Sequence, residues 1–270
     1  MPSHSKDLLH AKDTALTWLK PVNREIMKWF RNDVAVDLKS DQSPVTIADR
    51  NAEEMLRRNI EKAFPDHGII GEEFGNVDPG REWVWTVDPI DGTRSFVRGL
   101  PLFSVLLSLL HRGEPVMGII SLPALGETAW GVQGEGAWCE GRRLRVSSES
   151  KLAQATVGTA DAYCFRDTKQ TRLLNSLHKT ATLVRTYPDA FGHLMAIRGV
   201  LDVMVDPLAF VWDYAPIKIL AQEAGGVFAN FYGRKASIEE GTAIVGNTEL
   251  VKQVRRLVTA STTTRRRSGP

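Results

Sequence analysis

The chain has 270 residues, 43% hydrophobic and 24% charged, an ordinary globular composition at the upper size limit for one large core or two fused ones, which excludes collagen-like, disordered and mini-protein architectures. Its 34 Lys and Arg against 32 Asp and Glu leave +2. Without Arg265, Arg266 and Arg267 the balance is 31 to 32, or −1, so the basic character belongs to the tail and is no argument for a nucleic-acid partner.

From Lys6 to Phe30 the apolar residues fall at helical spacing, interrupted by Pro21, which is expected to kink or split the segment. A second amphipathic helix is predicted from Thr46, a suitable N-cap, to Ala63, with Asp49 in its first turn and Pro65 after its end. The pattern then changes to strands at Trp83–Val87, Phe103–His111, Val116–Leu122 and Glu127–Gln133, joined by Gly-rich turns, which reads as an antiparallel meander beside helices. The polar stretch Arg145–Gln154 is the best boundary. Beyond it, short strands at Val157–Ala160, Leu183–Thr186 and Leu201–Val205 alternate with helical stretches. A helix from Trp212 to Ala224 ends at Gly225-Gly226, before a strand at Val227–Phe231. Asn247 can cap a last helix to about Val258, and Ser261–Pro270 reads as a disordered tail. The expected division is 1–148, 149–260 and 261–270.

Cys139 and Cys164 lie far apart, with neither disulfide-framework nor zinc-site spacing, which makes a reduced cytoplasmic setting the default. The polar start and the interrupted run Leu100–Leu110 give no signal peptide and no membrane span.

Chemistry concentrates in Trp85-Thr86-Val87-Asp88-Pro89-Ile90-Asp91-Gly92-Thr93, where an apolar strand runs into two carboxylates, a proline and a glycine. Asp88 and Asp91, with a backbone carbonyl between them, offer hard oxygen ligands suited to Mg²⁺ or Mn²⁺. Gly92 and Thr93 follow at once, so their N–H groups can meet an anion beside the metal. Asp-Gly alone is a common solvated turn. The five specified residues of Asp-Pro-x-Asp-Gly-Thr, however, would arise by accident in such a chain with probability on the order of 10⁻⁴.

At this segment the sequence resembles the inositol monophosphatase superfamily of metal-dependent, lithium-sensitive phosphatases. Three further motifs agree in order and spacing: Pro44-Val45-Thr46-x-Ala-Asp49, Gly71-Glu72-Glu73 after Ile69-Ile70, and Trp212-Asp213 opening a helix that ends Glu223-Ala224-Gly225-Gly226. The resemblance spans about Lys39 to Gly226. It implies a layered αβαβα sandwich, with an α+β N-terminal half carrying most metal ligands and a smaller α/β half contributing Asp213 and substrate-binding residues. It makes Glu72, Asp88 and the Ile90 carbonyl ligands of one Mg²⁺, and Asp88, Asp91 and Asp213 ligands of a second, with Glu72 helping to hold a third. Thr93, with Asp49 behind it and Glu72 beside it, then orients and deprotonates the attacking water, while Gly92 and Thr93 hold phosphate oxygens. Lys39 lies near a supporting basic position. The family commonly forms homodimers, and the implied partner is a small phosphate monoester.

Two features resemble the histidinol-phosphatase branch. Thr93 is followed by the basic Arg94 and by Gly99-Leu100-Pro101, and Tyr187-Pro188-Asp189 is similar to that branch's Tyr-Gly-Asp, with Pro188 in place of the glycine. Asp189 and Asp206 would bind the ammonium and imidazole of histidinol. Arg94 and Arg98 could instead hold a second phosphate, which keeps an inositol-1-monophosphatase or a sugar (bis)phosphate phosphatase as the alternative. An inert binding relative is disfavoured because Glu72, Asp88, Asp91 and Asp213 are all present.

Overall fold

In the computed structural model, which describes residues 2–32, 36–38, 44–233 and 235–263, the opening apolar stripe forms one helix, α1 (Pro2–Trp29), with Pro21 inside it. The split expected at Pro21 does not occur, because Leu19, Val22 and Ile26 on both sides of the proline are buried in one core. A two-stranded ribbon, β1 (Val36–Leu38) and β2 (Pro44–Thr46), leads into α2 (Ile47–Ala63), followed by β3 (Gly68–Gly71), β4 (Gly75–Val77), β5 (Trp83–Asp91) and the short α3 (Thr93–Val97). The meander continues as β6 (Ser104–His111), β7 (Glu114–Leu122), β8 (Glu127–Val132), β9 (Gly136–Cys139) and β10 (Arg142–Arg143). These strands from β3 onward form one eight-stranded sheet in the order β10-β9-β8-β7-β6-β5-β3-β4, antiparallel except where β3 runs parallel to β5.

After a 3₁₀ turn (Leu152–Gln154) come β11 (Thr156–Thr159), α4 (Ala162–Asp167), α5 (Thr171–Thr180), β12 (Leu183–Thr186), α6 (Asp189–Ile197) and β13 (Val203–Asp206). The chain then forms α7 (Val211–Glu223), β14 (Val227–Ala229), β15 (Ala243–Gly246) and α8 (Thr248–Thr263). The second sheet has the order β12-β11-β13-β15-β14, with β12, β11 and β13 parallel and the last two strands antiparallel. The last helix outlasts the expected end at Val258 and takes in the first residues of the expected tail; residues 264–270, like Lys39, lie outside the described residues.

Three apolar cores separate five layers. The first joins α1 and α2 to one face of the large sheet, through Ile26, Leu56, Trp85 and Leu107. The second fills the space between the sheets with α6 and α7, through Leu106, Ile120, Leu194, Tyr214 and Leu220. The third packs α4, α5 and α8 on the outer face of the small sheet, through Phe165, Leu177, Val205 and Val254. This is the expected layered αβαβα sandwich. The middle of helix α7, from Tyr214 to Ala221, is buried throughout because both of its faces meet sheets. It lies so close to β7 that a Cβ on Gly118 would stand 2.7 Å from the Pro216 Cα, which is why a glycine fits there. Among the described residues no helix is long and apolar enough to cross a membrane.

Candidate active site

The strand β5 carries the first two acids, and its irregularity decides where they point. Asp88 pairs with Leu106 and Asp91 with Ser104, so three steps along β5 match two along β6. In a regular strand, residues three apart face opposite sides; the extra residue of this bulge returns both carboxylates to the same end of the sheet. Pro89 sits within the bulge, where its missing N–H breaks no ladder hydrogen bond. Asp213, in the first turn of α7, closes the group: one carboxylate oxygen from each of Asp88, Asp91 and Asp213 lies within 4.8 Å of the others. The fold thus brings Asp213, from the second half of the chain, to Asp88 and Asp91 of the first.

Each acid is fixed by its surroundings. Asp91 Oδ2 accepts from Ser104 Oγ and from the Ala190 N–H, both at 2.8 Å, and so ties β5 to α6. Asp213 Oδ2 accepts from the Phe210 N–H at 2.7 Å, capping its own helix. Asp88 Oδ1 is buried without a hydrogen-bond partner. Glu72 follows β3, in a turn clamped by Glu53 of α2. The Glu53 carboxylate is fully buried and accepts from Arg57 Nε at 2.7 Å, from the Glu73 N–H at 2.7 Å and from the Phe74 N–H at 3.2 Å. Gly71 leaves room for this clamp, since a Cβ there would stand 2.2 Å from Glu53 Oε1.

Thr93 and Asp49 also meet. Thr93 Oγ1 lies 3.0 Å from the Ile90 carbonyl oxygen and 3.3 Å from Asp49 Oδ1. The other Asp49 oxygen accepts from Thr46, from its N–H at 2.8 Å and its hydroxyl at 2.6 Å, in a capping box at the predicted N-cap of α2. Gly92 adopts φ +84°, and a Cβ on it would come within 2.9 Å of Asp189 Oδ2 and 3.0 Å of the Leu102 carbonyl oxygen. Glycine answers both the left-handed backbone and the close approach of Asp189.

The electrostatics follow from burial among like charges. Burial, then the charges of Glu72, Asp91 and Asp213, hold Asp88 well above the usual carboxylate range. Asp213 is raised by burial and by Asp91 and Glu72. Asp91 and Asp49 are each pushed up to about 6, chiefly by burial. A cluster of this kind tolerates its ionised form when a divalent cation neutralises it. The orphaned Asp88 oxygen and the all-oxygen donor set fit Mg²⁺ or Mn²⁺.

Glu72, Asp88, Asp91, Gly92, Thr93 and Asp213 line one cavity of about 590 Å³. Its other wall comes from the second half of the chain and holds the expected Asp189 and Asp206. Asp189 opens α6 at φ +62°, and burial with the charges of Asp91 and Asp206 raises its pKa strongly. Asp206, 4% exposed, has both oxygens engaged, one by His193 Nε2 at 3.2 Å and one by the Leu208 N–H at 3.0 Å. Arg94 is exposed and lies over the Tyr163 ring, 5.4 Å from its centroid. Residue-by-residue reading did not single out Asp161, Tyr163, His193 or Phe210 in this wall. Phe210, three residues before Asp213, and His193, four after Asp189, had a motif nearby.

A model of the inositol monophosphatase family matches residues 8–263. The chain belongs to the inositol monophosphatase family. It is therefore a phosphoric monoester hydrolase. It is 38% identical over 218 residues to a histidinol-phosphatase of Chlorobaculum parvum, covering 80% of this chain and 84% of that protein. It is 35% identical to a histidinol-phosphatase of Mycobacterium tuberculosis, with the same coverage. Among solved structures, a Thermotoga maritima IMPase superposes with a TM-score of 0.86 at 30% identity, over 94% of this chain and 99% of that one. Others of its relatives are named for different substrates, such as the fructose-1,6-bisphosphatase/inositol-1-monophosphatase of Thermotoga maritima, 34% identical over 91% of this chain and 96% of that protein.

Proposed function

We propose that this phosphatase is a Mg²⁺-dependent histidinol-phosphatase, which converts L-histidinol phosphate and water to L-histidinol and phosphate. The observation that carries the reading is the juxtaposition of Asp189 with Gly92 beside the Asp88, Asp91 and Asp213 group. It sets the Asp189 carboxyl beside the phosphate end, where an ammonium would favour the ionised form, and this supports a cationic alcohol over a neutral polyol. The histidinol-phosphatase relatives support the same substrate.

Glu72, Asp88, the Ile90 carbonyl, Asp91 and Asp213 would hold two to three Mg²⁺ ions. When bound, these ions polarise the ester, make water a nucleophile near neutral pH and neutralise the departing alkoxide. The chain's own groups do the rest. Thr93 Oγ1, with Asp49 3.3 Å behind it, orients the attacking water and passes its proton toward the Asp49 carboxylate, with Glu72 beside them. The Gly92 and Thr93 N–H groups hold phosphate oxygens. Asp189 faces the ammonium. In this reading 1–148 supplies the phosphate chemistry, apart from Asp213, and 149–260 the leaving-group subsite. The buried free thiols of Cys139 and Cys164 fit a cytoplasmic enzyme. A homodimer completes the proposal, to be checked by light scattering.

The test is kcat/KM on L-histidinol phosphate, inositol 1-phosphate and fructose 1,6-bisphosphate, with Mg²⁺ and with EDTA. The expected result is metal-dependent turnover with L-histidinol phosphate preferred by at least about tenfold, the worth of one charge-assisted contact. Preference for inositol 1-phosphate or the bisphosphate overturns the assignment. The exposed Arg94 on the rim is the feature that would favour a second phosphate.

A further inference from the structure

The rim of the cavity carries an aromatic pair that the hydrolytic chemistry does not use. Phe210 is 53% exposed, an unfavourable position for a large apolar side chain, and its ring stacks on Trp212 with centroids 5.2 Å apart and planes 22° from parallel. Both residues line the cavity, next to Leu208, which is 43% exposed. The Phe210 backbone is pinned beside the acidic group by its N–H bond to Asp213 Oδ2 at 2.7 Å. The ring thus stands on the rim of the cavity against Trp212, beside the acidic group. The other rim aromatic, Tyr163, is already covered by the Arg94 guanidinium. Asp161 and Asp189 lie in the same cavity wall.

We propose that Phe210, backed by Trp212, selects the substrate by stacking on a flat aromatic ring carried by the leaving alcohol, with a positively charged ring favoured. Aromatic faces attract flat rings and cations, and the nearby carboxylates add to the second preference. A rigid stacked pair also loses little conformational freedom on binding. This inference rests on the histidinol-phosphatase reading for the natural ligand, but the ring subsite is testable without it.

Benzyl phosphate and cyclohexylmethyl phosphate are both esters of primary alcohols with six-membered rings, so their phosphate chemistry is similar, and because leaving-group acidity is the same for wild type and variant, a change of their ratio on substitution reports the flat π-face. Wild-type protein should favour the benzyl ester in kcat/KM by about fivefold, the size of one aromatic contact. Phe210→Leu, which keeps an apolar side chain but no ring, should erase that ratio mainly through KM, and Phe210→Tyr should retain it. A loss common to both esters cancels in the ratio, and circular dichroism establishes that each variant folds. Where turnover is slow, the two compounds' inhibition constants against L-histidinol phosphate give the same ratio. A wild type without the preference, or a Phe210→Leu ratio equal to wild type, overturns the ring subsite. Wild-type preference for inositol 1-phosphate with the benzyl preference intact overturns the substrate assignment instead, so the two failures are distinguishable.

Discussion

The two walls of the cavity are built by different means. The wall proposed for the phosphate rests on β5 and the turn after β3: Asp88 and Asp91 stand on a strand buried in the large sheet, and Glu72 on a turn clamped by the buried Glu53. The wall proposed for the leaving group is made of helix starts and connections, with Asp189 at the head of α6, Asp161 before α4, and Phe210 before α7. Strand-borne groups are held within fractions of an ångström by ladder bonds and core packing, as in-line displacement at phosphorus requires. Groups at helix starts can be exchanged without disturbing a sheet, which suits a wall that discriminates among alcohols. Asp213 belongs to both. It is borne by the second half, yet α7 is packed into the core shared with the large sheet, so its carboxylate is as firmly placed as those of β5.

If this division is right, substitutions in the first wall should lower turnover of every substrate, and those in the second should change selectivity. The largest effect is expected for Asp91→Asn, which removes one charge from the metal-binding group and also weakens the Ala190 link: at least about a hundredfold in kcat on all phosphomonoesters, measured with Mg²⁺ in excess. Full turnover after EDTA treatment without added metal would break the comparison at its root. Next comes Asp189→Asn, with a loss of about tenfold in kcat/KM on L-histidinol phosphate and a much smaller one on inositol 1-phosphate. Equal losses on both would place Asp189 in the phosphate wall.

The shared core gives a smaller, purely structural effect. Gly118→Ala should destabilise the fold by about 1–3 kcal/mol, because the added methyl meets the backbone of α7 and the helix must move, taking Asp213 with it. Denaturant titration measures the loss, and an accompanying drop in Mg²⁺ affinity sharpens the role of α7 as carrier of a ligand. The smallest effect concerns pH. Burial pushes Asp49 and Asp91 up to about 6, above the ordinary aspartate range. Their contribution to stability is thus present below about pH 4 and is lost as pH rises through 6. In EDTA the melting temperature should fall by a few degrees between about pH 5 and pH 7.5, and added Mg²⁺, which needs the ionised carboxylates, should raise it more at the higher pH. A Mg²⁺ effect independent of pH would exclude Asp91 from metal binding.

Much of the phosphate wall was legible in order along the chain. Thr46 as the cap of α2, with Asp49 behind it, follows from capping chemistry, and the Asp88 to Thr93 segment announces itself by composition. The bulge was not legible, because Asp-Pro-Ile-Asp reads equally well as a turn after the strand; only pairing with β6 shows that β5 continues to Asp91. The small-sheet strand β15 was missed for a related reason. Its four residues, Ala243–Gly246, lie between β13 and β14 and are buried on both sides, so they show no alternation to read. One of the two hydrogen bonds that occupy Asp206 comes from His193, which arrives from a different element.

The sequence by itself determined the helices with strong apolar periodicity, the meander of the first half and the identity of the acids, because each of these is written in neighbouring residues. It also determined the family, through motifs whose joint occurrence is improbable by chance. Tertiary structure alone decided which side each acid faces, that α7 lies between two sheets with Asp213 at its head, and that Phe210 stands on the rim stacked against Trp212. These depend on strand register and on contacts between segments more than a hundred residues apart, as between Asp88 and Asp213. A local pattern cannot encode such contacts; only the closing of the layers does.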